Sequence, residues 1–308
     1  MPIVPASLSG NRAGGGAAES RSVSKPAWLK VRLPSQPGYF QVSEIVRRNH
    51  LNTICQSARC PNVGSCWAAR TATFLILGDV CTRRCAFCAV KKGAPAPPGE
   101  AEADRVAEAV ASLGLKYVVI TSVTRDDLPD GGASAFARTI DAVKRLSPTV
   151  RVEVLVPDFQ GDAKALGEVL AAGPEVLNHN LETTETLYPA INRPAENYRR
   201  SLKLLKAAKK TGVTTKSGLM IGLGEAAADV IRTLADLCEA GCDLLTIGQY
   251  LRPSLDNVPV DRYVTPDEFE ATRARALAFG FKAVEAGPLV RSSFRAQEMW
   301  SGLRKGAA

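Results

Sequence analysis

Three thiols spaced C-x₃-C-x₂-C stand in the run Cys81-Thr-Arg-Arg-Cys85-Ala-Phe-Cys88, directly after the apolar segment Thr73-Phe-Leu-Ile-Leu77. A cubane [4Fe–4S] cluster is normally held by four thiolates. Three on one short loop hold three irons and leave the fourth open to a small ligand. A second triad lies just upstream, Cys55-Gln-Ser-Ala-Arg-Cys60-Pro-Asn-Val-Gly-Ser-Cys66, spaced C-x₄-C-x₅-C. Together the triads use six of the eight cysteines within 34 residues, which points to two clusters with different tasks. The plainer readings are a structural zinc site or a disulfide knot. Zinc sites usually come as paired C-x₂-C units, and the C-x₃-C spacing does not fit that pattern.

Cys238 and Cys242 complete the set, in Leu237-Cys-Glu-Ala-Gly-Cys242 on a segment of helical apolar spacing. Buried free cysteines behave as small hydrophobes, so these two are expected in the core. The chain has no secretory leader pattern and no apolar run of 18 residues. Thiols in such a chain belong to a reducing compartment, here the cytoplasm, and serve metal rather than disulfides. No membrane span is expected.

With 308 residues and 45% hydrophobic content, the chain can bury a sizeable core. Its net charge of +8 suits an acidic partner. Yet the Lys and Arg residues are scattered with few aromatics between them, and no nucleic-acid-binding motif accompanies them. Most of the charge reads as solvated surface, the lesser reading being a patch that docks an acidic protein. Residues 1–25 are rich in Ala, Gly, Ser and Arg and read as a flexible start. A transit peptide has a similar composition, but Gly14-Gly-Gly16 breaks any amphipathic helix there.

From about residue 72, β-branched apolar runs alternate with amphipathic stretches. Residues 73–77, 117–121, 151–156, 176–180, 214–221 and 244–249 read as buried strands. Residues 102–113, 133–146, 163–172, 198–211 and 227–240 read as helices. That alternation implies right-handed crossovers and a parallel sheet, which as a barrel carries its chemistry on loops after the strands. Those loops hold the Cys81 triad, Thr121-Ser122, Arg125-Asp-Asp127 with Asp130, Asp158, His179-Asn-Leu-Glu-Thr183 and Gly222-Leu-Gly-Glu225. Polar loops often serve only as helix caps; the acidic density at 125–130 fits that explanation least well. His179, at a strand end, reads as a structural residue rather than a base.

With these residues in view, the chain resembles the lipoyl synthase family of the radical S-adenosylmethionine enzymes. The resemblance runs over about 250 residues, roughly Val46 to Gln297. It rests on the two triads, on Thr-Ser-Val-x-Arg-Asp-Asp-Leu-x-Asp-Gly-Gly at 121–132, on Asn178-His-Asn-Leu-Glu-Thr183 and on Arg291-Ser-Ser-Phe294. It implies an α/β fold, a partial (β/α)6 TIM-type barrel with extensions at both ends. The expected division is a flexible tail at 1–27, an extension with the second triad at 28–71, the barrel at 72–285, and a tail with the Arg-Ser-Ser motif at 286–308.

The same resemblance implies insertion of two sulfur atoms at C6 and C8 of an octanoyl chain amide-linked to a carrier lysine. Those carbons are unactivated, so hydrogen-atom abstraction by a cofactor-derived radical is the available route. By resemblance, Cys81, Cys85 and Cys88 hold the cluster that binds S-adenosylmethionine. Cys55, Cys60 and Cys66 hold an auxiliary [4Fe–4S] cluster that donates the sulfur. Its fourth ligand is a serine of the Arg-Ser-Ser motif, Ser293 with Ser292 as the alternative. A serine oxygen is harder than thiolate and easier to displace from iron. For S-adenosylmethionine the resemblance suggests Thr121, Ser122, Asn180, Glu182 and Arg193, with Met220–Gly224 against the adenine.

Phe294 and Arg295 depart from the Tyr and His usual in the family, which puts substrate contacts near the tail in question. The implied partners are an octanoylated lipoyl carrier, such as the glycine cleavage H protein or a 2-oxoacid dehydrogenase E2 domain, an electron donor and a cluster-repair protein. The chain is expected to act as a monomer, without nucleic acid. Competing readings are a biotin synthase-like or methylthiotransferase-like enzyme, and a non-catalytic iron–sulfur protein.

Overall fold

The computed structural model describes residues 24–31 and 35–305. Residues 1–23 of the expected flexible start lie outside that range. The chain opens with α1 (Pro37–Arg48), β1 (Asn52–Thr53), α2 (Ile54–Ser57) and α3 (Val63–Ala68). The alternation then begins with β2 (Thr73–Ile76), a small parallel pair β3 (Val80–Cys81) and β4 (Lys91–Lys92), α4 (Glu102–Ser112), β5 (Tyr117–Ser122) and α5 (Ala133–Leu146). It continues through β6 (Arg151–Leu155), α6 (Ala163–Ala171), β7 (Val176–Asn178), α7 (Glu196–Lys209), β8 (Thr214–Ile221), α8 (Ala227–Glu239) and β9 (Leu244–Gln249). The end is α9 (Pro266–Phe279), β10 (Ala283–Gly287) and α10 (Ala296–Lys305).

One sheet runs in the order β1-β2-β5-β6-β7-β8-β9-β10. Every neighbouring pair is parallel except β1–β2. The six expected strands and five expected helices are all present, and β10 adds a seventh parallel strand. Sequential order along the sheet is what repeated right-handed crossovers give. The two outer strands, β1 and β10, do not pair, so the barrel is open. Strands such as Thr73–Ile76 and Leu244–Gln249 are buried throughout, as expected when both faces of a parallel sheet are covered.

Helices cover the outer face, and the C-terminal segment covers part of the inner one. Met299 clusters with Val176 and Leu244, and Ala296 with Tyr117 and Val119, with Trp300 packed against both groups. Two strand glycines make room for this segment. A Cβ on Gly248 would lie 2.1 Å from the Val290 carbonyl oxygen, and one on Gly218 would lie 2.9 Å from Ser292 Oγ. Both are below the closest approach that carbon tolerates.

The interior also holds an ion pair with no solvent contact. Lys216 Nζ lies 2.9 Å from Glu153 Oε1, both side chains fully buried. Tyr117 Oη donates to Glu153 Oε2 at 2.7 Å and Asn178 Nδ2 to Oε1 at 3.1 Å. Among the described residues, no helix is long and apolar enough to cross a membrane. Glu153→Ala strands the Lys216 charge, and we expect it to cost about 3–5 kcal/mol of stability. The double change Lys216→Met with Glu153→Leu should cost less than the single change, measured by anaerobic denaturant unfolding.

Candidate metal centres

The Cys81 triad sits on the loop leaving β2, beginning at the end of β3. Several separate elements pin that loop. Arg83 Nε and Nη2 donate to the two oxygens of Asp126 at 2.7 and 2.8 Å, and Nη2 reaches Asp158 Oδ1 at 2.5 Å. Asp158 is fully buried and also pairs with Arg200 at 3.3 Å. Against the pull of burial, the Arg83 guanidinium and the Gln160 amide hold its carboxyl down at about 2. On the other side, Asn257 Nδ2 donates to the carbonyls of Ala86 and Cys88 at 2.9 and 3.1 Å. Asn192 Nδ2 holds the Arg84 carbonyl at 2.8 Å. A loop fixed this way presents its thiols with little rearrangement.

These contacts also account for the acidic stretch at 125–130. Asp126 grips Arg83, and Asp127 is bidentate with Arg125. Asp130 accepts from the Gly132 and Ser134 amides at the start of α5. Each carboxylate has a structural partner, so helix capping and loop pinning explain the stretch after all.

The second triad lines one cavity, between α2, α3, β2 and the C-terminal tail. Cys55, Cys60 and Cys66 share it with Thr73, Arg291, Ser293 and Phe294. The neighbouring serines diverge there. Ser293 Oγ accepts from Thr73 Oγ1 at 2.9 Å on the cavity side, whereas Ser292 Oγ accepts from Asn180 Nδ2 at 2.6 Å on the barrel side.

Burial pushes up the thiols of Cys55, Cys60, Cys66, Cys85 and Cys88, those of Cys66 and Cys88 to about 12. Arg291 pulls Cys60 the other way, and Arg193 does the same for Cys85. Such thiols need a strong counter-charge to ionise, which iron supplies as it displaces the proton. All eight cysteines are unpaired. Among the described residues, no three His, Cys, Asp or Glu side chains converge on a single point as one metal ion would require. A cubane makes no such demand, because each thiolate binds its own iron.

Three of the five residues expected at S-adenosylmethionine carry buried polar atoms without a protein partner: Ser122 Oγ, Asn180 Oδ1, and Arg193 Nε and Nη1. Unmet buried groups are costly, so this cluster fits a polar ligand. Glu182 has a left-handed backbone at φ 75° and is raised by burial despite the opposing charge of Arg193. Thr121 differs, since its hydroxyl donates to the Leu155 carbonyl at 2.9 Å. Thr183 Oγ1 is unpartnered as well and was not singled out in the sequence. Neither were Asn192 and Asn257, whose roles arise only from long-range contact.

A radical SAM superfamily model matches residues 75–248. A lipoyl synthase from Rubrobacter xylanophilus is 53% identical over 285 residues, covering 92% of this chain and 88% of that protein. One from Thermus thermophilus is 52% identical over 280 residues, covering 90% and 87%. Among solved structures, Streptococcus suis SuiB bound to its precursor peptide SuiA superposes with a TM-score of 0.55 at 13% identity, covering 75% of this chain and 53% of that one. HydG, a maturase of the [FeFe]-hydrogenase, gives 0.53 at 15% identity, covering 70% and 55%. At such identity the structural likeness speaks to the fold alone.

His179 is buried, with Nδ1 2.8 Å from the Val156 carbonyl and Nε2 2.8 Å from Ser201 Oγ. Both ring nitrogens are therefore committed to structure. Burial lowers it from 6.5 to about 4, so the unfolded chain takes up this proton first on acidification. Stability is thus lost as pH falls through that window, by about 3 kcal/mol at full extent. Glu102 and Glu182, raised by burial, oppose it near the acid end. The measurement is the difference in anaerobic unfolding between wild type and His179→Gln from pH 7.5 to 5, and the wild type should lose stability more steeply.

Proposed function

The chain belongs to the lipoyl synthase family of the radical SAM superfamily, and we propose that it inserts two sulfur atoms, at C6 and C8 of an octanoyl chain on a carrier lysine. As a family member it is a sulfur-inserting radical SAM enzyme, with S-adenosylmethionine and a [4Fe–4S] cluster as cofactors and a lipoyl-carrier protein as substrate. The observation that carries the finer reading is the pairing of a second triad with Ser293 in one cavity, beside a separate triad on the barrel's loop.

When bound, S-adenosylmethionine and its cluster supply hydrogen-atom abstraction from unactivated carbon, and the auxiliary cluster supplies sulfur. The chain's own residues hold and orient. Cys81, Cys85 and Cys88 provide three thiolates, and the Arg83 clamp fixes their loop. Asn180, Ser122 and Arg193 offer unmet polar atoms to the amino acid and ribose groups of S-adenosylmethionine, with Glu182 and Thr121 beside them.

Cys55, Cys60 and Cys66 hold the auxiliary cluster, with Ser293 as the fourth ligand. Thr73 donates to that serine oxygen, a contact that strengthens if the oxygen gives up its proton. Ser292, turned toward Asn180, is the poorer ligand candidate. Phe294 lines the same cavity and contributes an apolar ring there, with Arg295 stacked 5.4 Å over it. The reading takes the chain as a cytoplasmic monomer served by an electron donor and a cluster-repair protein. The free state of all eight cysteines suits a reducing compartment.

The test is anaerobic reconstitution with iron and sulfide, then S-adenosylmethionine, reductant and an octanoyl-lysine peptide, read by mass spectrometry. A gain of two sulfurs with 5′-deoxyadenosine is the expected result. Cys85→Ala should abolish 5′-deoxyadenosine formation, because the radical cluster loses a ligand. Cys60→Ala should retain it while losing sulfur insertion. Identical behaviour of the two folded variants would remove the division of labour between the triads.

A further inference from the structure

Arg291 to Phe294 form a tight turn, closed by the Phe294 amide donating to the Arg291 carbonyl at 2.9 Å. Its two middle residues face different places. Ser293 Oγ lines the Cys55–Cys60–Cys66 cavity and accepts from Thr73. Ser292 Oγ takes the Nδ2 proton of Asn180 at 2.6 Å. That bond fixes the carboxamide's orientation, leaving Asn180 Oδ1 buried and without a partner. The third wall is Gly218, where a Cβ would lie 2.7 Å from Asn180 Oδ1 and 2.9 Å from Ser292 Oγ. No side chain other than hydrogen leaves this contact intact.

We propose that Ser292 is a positioning residue for Asn180, and that through this turn the occupancy of the second triad's site and the binding of S-adenosylmethionine depend on each other. The inference rests on the reading that Asn180 meets S-adenosylmethionine and Ser293 the auxiliary cluster. The physical argument is short. Neighbouring residues in a hydrogen-bonded turn move together, so a change at Ser293 reorients Ser292 and with it the carboxamide. Linkage then requires each ligand to alter the other's affinity by the same factor.

The test is equilibrium binding of S-adenosylmethionine to the full chain, with iron content measured for every sample. Four proteins form a cycle: wild type, Ser292→Ala, a variant with Cys55, Cys60 and Cys66 all changed to Ala, and the combination. Ser292→Ala should weaken binding about fivefold, the size of one lost hydrogen bond, while both clusters still assemble. Removing the triad should change affinity severalfold in wild type and little further once Ser292 is gone. Gly218→Ala, which forces the same contact apart from the opposite side, should weaken binding and add little to Ser292→Ala.

Unchanged affinity in Ser292→Ala would overturn the proposal, and so would strictly multiplicative effects of serine and triad. A wild type loaded with both clusters that fails to bind S-adenosylmethionine would instead bring down the parent reading, and this inference with it.

Discussion

An open parallel sheet leaves an inner face that must be covered, and the rest of this structure depends on how that is done. Here the cover is the chain's own C-terminal segment, which lies over strands β5 to β10 from within. The close approach is possible because Gly218 and Gly248 lack side chains where Ser292 and the Val290 carbonyl pass. A segment seated this deeply delivers two consecutive serines to two different sites. It also brings Arg291 to the cavity, where its charge reaches Cys60. Covering the sheet and walling the cavity of Cys55, Cys60 and Cys66 are thus one structural event.

The two triads are held by different means, and the difference follows from where they sit. The Cys81 loop is gripped by side chains from distant elements, Arg83 on Asp126 and Asp158 from within and Asn192 and Asn257 on its carbonyls from outside. The second triad's loop is held by single bonds to distant carbonyls, Arg59 Nη1 on Pro253 at 3.1 Å and Asn62 Nδ2 on Leu289 at 2.6 Å, with short helices and the tail as its walls. A bidentate guanidinium–carboxylate contact is stronger than a single bond to a carbonyl, so the Cys81 loop has the firmer anchor of the two.

The strands were legible because burial on both faces forces near-continuous β-branched and apolar runs, as in Tyr117–Ser122 and Thr73–Ile76. Strand β10 escaped because Ala283-Val-Glu-Ala-Gly287 carries one β-branched residue and a charge. The two cysteine triads, the candidate metal ligands, stood out because cluster chemistry demands thiols at short spacing. The pins were not. Asn257 acts 169 residues from Cys88, and nothing local to either marks the pair. Ser292 and Ser293 could not be separated by pattern either, since adjacent residues differ only in the direction a turn gives them. The acidic stretch at 125–130 was misjudged for a related reason, because its partners include Arg83, more than forty residues away.

Unmet polar atoms carry information that composition lacks. The interior of this barrel satisfies even a fully buried lysine, with Glu153 supported in turn by Tyr117 and Asn178. Single unpartnered atoms also occur at Trp67, Arg105 and Asn178, but those at Ser122, Asn180, Thr183 and Arg193 all lie at the end of β5 or on the segment that follows β7, and include both donors and acceptors. A hydroxyl, a carboxamide oxygen and a guanidinium ask for a ligand that is itself zwitterionic and hydroxylated. S-adenosylmethionine has an ammonium, a carboxylate and a ribose, and it answers each of those requirements within one molecule.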